Sequence, residues 1–149
     1  MTSKLKSGTG QSSKSEAFIQ EKVKSRVFCF GSNCAGRHGA GAALYALNHY
    51  DAVYGKGFGH HGNSFAIPTK DKKIETLPLD DIRKYVNDFI QYATAHPELE
   101  FQVTQIGCGL AGLKAKDIAP MFIGCPDNCL FDDAWFKFFG ATKRYWGTF

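Results

Sequence analysis

Short apolar runs alternate along the chain with segments rich in glycine and small polar residues, and one longer stretch has helical spacing. Residues 27–30 (VFCF) are continuously apolar and end at Gly31. This predicts a strand buried on both faces, as in a parallel sheet. A helix is predicted over 40–50, with Ala42, Ala43, Leu44, Ala46 and Leu47 as its packing face. Residues 52–54 read as a short strand, whereas 55–63 (GKGFGHHGN) hold too many glycines for a regular element and read as a flexible loop. A second strand is predicted over 64–68, with Pro68 at its end because proline cannot donate to a sheet ladder. Over 79–95, apolar residues recur at Leu79, Ile82, Val86, Phe89, Ile90 and Ala93, the spacing of an amphipathic helix. Asp80 and Asp81 stand near its positive end. A strand over 101–106, a short helix over 117–122 and a short strand over 129–131 follow. The aromatic stretch from Trp135 to Trp146, with Phe136, Phe138, Phe139 and Tyr145, is expected to pack on the domain.

The recurring strand, loop and helix predict an α/β fold with three α/β/α layers around a small, mostly parallel sheet. Three segments then fall at one sheet edge, where open α/β folds bind ligands. They are 31–41 (GSNCAGRHGAG), 68–71 (PTKD) and 107–112 (GCGLAG). A glycine loop between a strand and a helix turns backbone N–H groups outward, and the helix start adds partial positive charge. Two such loops suit phosphate.

Composition narrows this picture. A chain of 149 residues suits one domain. The net charge is +4, but Lys4, Lys6, Lys14, Lys22, Lys24 and Arg26 all lie in the first 26 residues. Residues 1–24 have few apolar anchors and are expected to form a mobile basic tail, leaving 25–149 as a nearly neutral domain. Near-neutrality argues against a nucleic-acid-binding face on the domain itself. Five cysteines without a signal peptide or a membrane-length apolar run read as reduced thiols of a cytoplasmic protein. Cys125 and Cys129 have C-x3-C spacing but no second pair follows, so neither a metal nor a cofactor is expected.

Within the first segment, Asn33 offers an amide suited to a ribose hydroxyl or to a turn of its own backbone. Arg37 and His38 face phosphate or solvent, and Gly39 and Gly41 leave room for a ligand beside Ala40. Gly31, Ser32 and Gly36 complete this part of the candidate binding set. Thr69 and Lys70 belong to the second segment. Lys70 is a phosphate contact, an amine nucleophile or a solvated turn residue, and Asp71 beside it favours the charged ammonium. The third segment contributes Gly107, Cys108, Gly109, Leu110, Ala111 and Gly112, with Cys108 either a nucleophile or a small buried thiol.

Three motifs carry a family resemblance: Gly39-Ala40-Gly41-Ala42-Ala43, Thr69-Lys70 and Gly107-Cys108-Gly109-Leu110-Ala111-Gly112-Leu113. In this order, and with the long predicted helix between the last two, the chain resembles a macro domain from about residue 26 to residue 123. The similarity is to the compact branch that includes terminal ADP-ribose protein glycohydrolase and the antitoxin reversing DNA ADP-ribosylation. It is also similar to short bacterial and phage proteins that share the F-G-S-N-x-A-G-R-H-G-A-G opening. The resemblance implies binding of ADP-ribose or a related nucleotide diphosphate, and hydrolysis of an ADP-ribosyl linkage on protein or nucleic acid. As an enzyme the chain would use Asn33 to orient the ribose and Lys70 to attack or polarise C1″, with Asp71 a neighbour of Lys70 by sequence. A non-catalytic binding module for ADP-ribose or an NAD-derived signal and an ADP-ribose 1″-phosphate phosphatase are the alternatives. The chain departs from the family pattern in two places. No Gly-Asp-Ile or Gly-Asp-Leu segment precedes 27–30, and Ala111 stands where lysine-dependent glycohydrolases carry an aspartate.

Overall fold

The structure, a computed structural model, describes residues 25–149, and the expected tail over 1–24 lies outside the described residues. The strands are β1 (Ser25–Asn33), β2 (Gly59–His61), β3 (Ser64–Lys70), β4 (Leu99–Val103), β5 (Cys129–Asp132) and β6 (Arg144–Gly147). They form one sheet in the order β2-β3-β1-β4-β5-β6. Neighbours run parallel except β2, which pairs antiparallel with β3 at the edge.

The apolar run at 27–30 places β1 centrally because both of its faces are covered. Val27 and Cys29 enter the larger core, and Phe28 and Phe30 enter the smaller one. The larger core lies under α2 (Leu79–Ala95), whose Ile82, Val86, Phe89 and Ala93 are the buried stripe that the spacing predicts. It also takes in Ile118 of α3 (Ala115–Ile118) and Phe139 of α4 (Phe136–Phe139). On the opposite face α1 (Gly41–His49) sets Ala43 and Ala46 against Phe28, Phe30 and Ala66. The three layers are therefore helices, sheet, and a thinner layer built on α1.

Several local expectations change. Residues 52–54 form no strand: Ala52 donates back to the Ala46 carbonyl (3.2 Å) and Lys56 to that of Val53 (3.0 Å), so the chain turns there. The glycine-rich stretch 55–63 ends in β2, which Gly62 and Asn63 join to β3. β4 stops at Val103, where the Thr104 hydroxyl and N–H both turn to the Cys29 carbonyl. The short helix begins at Ala115 and passes at Ala119 into a 3-10 turn (Ala119–Phe122) that contains Pro120. The aromatic stretch packs only in part: Trp135 and Phe139 are buried, Phe136 and Phe138 are exposed, and Arg144–Gly147 adds β6. Among the described residues, no helix is long and apolar enough to cross a membrane.

This topology makes a crevice. β1 lies between β3 and β4, and the chain leaves β1 through α1 on one face but leaves β3 through α2 on the other. Loops that depart on opposite faces open a space beyond the carboxyl end of the central strand.

Candidate functional site

The crevice is a cleft of about 680 Å³, within the range that accommodates nucleotides and cofactors. All three segments of the sequence reading reach it. Gly31, Ser32, Asn33, Arg37, Gly39, Ala40 and Gly41 line it from the first, Thr69 and Lys70 from the second, and Gly107, Cys108, Gly109, Leu110 and Ala111 from the third. Gly36, His38, Asp71 and Gly112, also in that reading, do not line it.

The reasons are local. Gly36 has φ +69, and its absent side chain lets the 54–56 turn pack directly on the loop, with the Gly55 N–H donating to the Gly36 carbonyl (2.8 Å). His38 is buried, its ring edge-on to Phe30 and its Nε2 3.1 Å from the Lys56 carbonyl. Burial pushes its pKa below the ordinary value of 6.5, so the imidazole is neutral at pH 7 and belongs to the scaffold. The Asp71 carboxylate accepts from the N–H groups of Lys73 (2.8 Å) and Glu75 (3.0 Å) and so closes its own turn. Gly112 donates to the Gly109 carbonyl (3.0 Å) at the end of the third loop.

Polar side chains at the cleft floor are likewise committed. Asn33 accepts from the Arg37 N–H through Oδ1 (2.9 Å) and donates to the Arg37 carbonyl through Nδ2 (2.8 Å), forming a clamp across the loop. The turn reading of Asn33 therefore describes this structure. The Ser32 hydroxyl donates to the Gly57 carbonyl, and that of Thr69 to the Ser32 carbonyl (3.3 Å). The Cys108 thiol lies 3.5 Å from the Ile106 carbonyl, and burial raises its pKa above the ordinary 9.0, which keeps it protonated rather than nucleophilic.

What stays free is mostly backbone. Helix α1 starts with no side-chain cap and no acidic residue in its first turn, and its first internal bond is from Leu44 to Ala40. The N–H groups of Gly41, Ala42 and Ala43, all cleft-lining residues, are thus left without helical partners. In the third loop, Cys108 donates to Gln105, Gly112 to Gly109 and Leu113 to Gly107. Among the described residues, no backbone carbonyl takes the N–H of Gly109, Leu110 or Ala111 between them. The cleft therefore holds two separate groups of uncommitted donors. Two cations, Arg37 and Lys70, line it as well, and neither makes an ion pair among the described residues.

The cleft has residues that the sequence reading missed. Ile74, Thr104, Gln105, Asp132 and Phe149 all line it. Asp132 directly follows the apolar run 129–131, so the rule that picked out Lys70 could have found it, whereas Thr104 and Gln105 are hidden inside the strand expected over 101–106, which ends at Val103. Asp132 is fully buried and accepts from Ala134 N–H (2.9 Å), the Thr148 hydroxyl (3.1 Å) and Phe149 N–H (3.1 Å). It thereby brings the segment after β6 back to the cleft, where half-exposed Phe149 packs on Phe28 and Tyr45. Room for a ligand lies beside Gly39, where a side chain would meet nothing within 4 Å. At Gly41 a Cβ would already touch Leu110 at 3.5 Å.

Against known protein-family models, curated proteins and solved structures, the chain finds no match. What the cleft can do follows from its donors, walls and volume.

Proposed function

We propose that this chain is a macro-type module that binds ADP-ribose or a closely related nucleotide diphosphate in the cleft. One observation carries the reading: the uncapped start of α1 and the 109–111 backbone offer two sets of free N–H donors within one cavity of about 680 Å³. A pyrophosphate presents two adjacent anionic groups, and a helix start together with a nest of loop N–H groups complements them. Arg37 and Lys70 add positive charge, while Phe149 and Leu110 supply apolar wall for a base or sugar.

Binding without chemistry is the form of this reading that the site supports best. Among the described residues Asp132 is the one side-chain carboxylate that lines the cleft, and its oxygens already accept three hydrogen bonds. Hydrolysis of an ADP-ribosyl linkage is the second reading, favoured by the position of Lys70 at the cleft wall with no ion-pair partner among the described residues. Calorimetry with ADP-ribose tests the first, and the absence of any binding would sink it. Incubation with ADP-ribosylated protein, ADP-ribosylated DNA and ADP-ribose 1″-phosphate tests the second. Product that appears with the native chain and disappears with Lys70→Ala is the outcome that reading requires.

A further inference from the structure

Two non-glycine residues among those described adopt the left-handed backbone region, Asp51 at φ +65 and Ile74 at φ +67. Aspartate tolerates that region, and Asp51 also accepts a hydrogen bond from Asn63. Ile74 has no such excuse, because a β-branched side chain there crowds its own backbone. A glycine at 74 would remove the strain, so the isoleucine must be there for its side chain or for the fold.

The fold does not use it. Ile74 is absent from the partly buried apolar residues packed against either core, although neighbouring Leu77 is among them. It lines the cleft instead. The surrounding turn over-determines its position. Asp71 donates to the Glu75 carbonyl (2.8 Å), Ile74 donates to that of Asp71 (3.1 Å), and the Asp71 carboxylate holds the N–H groups of Lys73 and Glu75. A bridge joins Lys70 to Thr76, and the Thr76 hydroxyl donates to the Ala111 carbonyl (3.0 Å), tying the turn to the third loop. Strain held this firmly at the wall of a cavity points to a ligand contact.

We infer that Ile74 is a ligand-contacting residue that packs its side chain against the carbon face of a ribose in the bound nucleotide, with Asp71 as the positioning residue that holds it there. This rests on the ADP-ribose reading above and adds a specific contact to it. Such a contact complements the phosphate donors, which lie on the first and third loops.

The test compares the native chain with Ile74→Gly and Ile74→Ala by thermal melting without ligand and by calorimetry with ADP-ribose. Ile74→Gly should melt about 2 °C higher, since strain relief exceeds the entropy that glycine adds to the unfolded chain. Both variants should bind ADP-ribose about tenfold more weakly, the loss expected from one apolar contact. Higher stability with lower affinity is a combination that a merely structural isoleucine would not give. Equal affinity in all three chains, or a lower melting temperature for Ile74→Gly, overturns this inference alone. A native chain that does not bind ADP-ribose overturns the nucleotide reading, and the ribose contact goes with it.

Discussion

The two glycine loops of the cleft look alike in sequence and do different work. In the loop after β1, the polar groups other than the Arg37 side chain are turned to the loop itself: Asn33 clamps the Arg37 backbone, His38 is buried on Phe30, and Gly36 receives the 54–56 turn. In the loop after β4, the N–H groups of Gly109, Leu110 and Ala111 have no backbone partner among the described residues, and Leu110 is 70 % exposed. The first loop is a frame that aims the start of α1, and the third presents its backbone directly. Polar side chains in a glycine-rich segment thus mark where the loop is braced, while bare backbone marks where a ligand can be held.

The largest expected effect breaks the frame itself. A methyl group at Gly36 would overlap the carbonyl carbon of Gly55 and the nitrogen of Lys56, both backbone atoms that cannot swing aside, at a φ that disfavours any side chain. Gly36→Ala should cost about 3 kcal/mol or more. The same change at Gly109, where nothing lies within 4 Å and φ is not left-handed, should stay within about 0.5 kcal/mol. Urea denaturation of both variants measures the contrast, and equal losses would show that the loops do not differ as described.

Asn33→Ala comes next. It removes both hydrogen bonds to the Arg37 backbone and leaves that N–H and carbonyl in a partly buried setting, a loss of about 2 kcal/mol. ADP-ribose affinity should fall with it, because the loop that leads into α1 loses its brace. Asn33→Asp separates bracing from ribose contact: it retains the acceptor for the Arg37 N–H but loses the donor to the Arg37 carbonyl. An affinity loss in Asn33→Ala with no change in denaturation midpoint would return Asn33 to direct ribose contact.

Gly39→Val acts on the open part of the first loop. Its side chain meets no protein atom within 4 Å and projects from a cleft-lining position, so the folded state should tolerate it while the ligand does not. Binding of ADP-ribose should weaken at least about tenfold with a change in stability below about 0.5 kcal/mol. Unchanged affinity would mean that the ligand does not pass beside Gly39.

Much of this arrangement is legible in the chain where physical constraints act locally. The buried run at 27–30 and the stripe of Ile82, Val86, Phe89 and Ala93 announce a central strand and its covering helix, because burial imposes a period on the residues themselves. The cleft could be anticipated because its glycine segments follow apolar runs. Contacts made across the sequence carry no such trace. Nothing around His38 says that Lys56 and Phe30 will enclose it, and nothing at Phe149 says that Asp132 will draw it to the cleft. β6 is hidden for a related reason, since its four residues pair only with β5 and show no alternation long enough to read. The left-handed Ile74 is likewise set by the hydrogen bonds of its turn and not by its own preference.

His38 gives the smallest expected effect and the one that best separates the loops by titration. Burial holds its folded pKa below 6.5, so between the folded value and 6.5 the unfolded chain binds the proton more readily. Its contribution to stability is therefore complete above pH 6.5, declines as pH falls through 6.5, and levels off below the folded pKa. Across the same range Cys108, the only titrating side chain of the third loop, stays protonated because burial raises its pKa from 9.0. Acid should consequently loosen the first loop while leaving the third unaffected. Urea midpoints at pH 7.5 and 5.5 measure the decline in the native chain, and His38→Gln, which cannot titrate, should show a flatter profile at a lower overall stability. A native profile with no decline would mean that the imidazole is as accessible to protons in the folded state as in the unfolded one, and the first loop would then be no more firmly braced than the third.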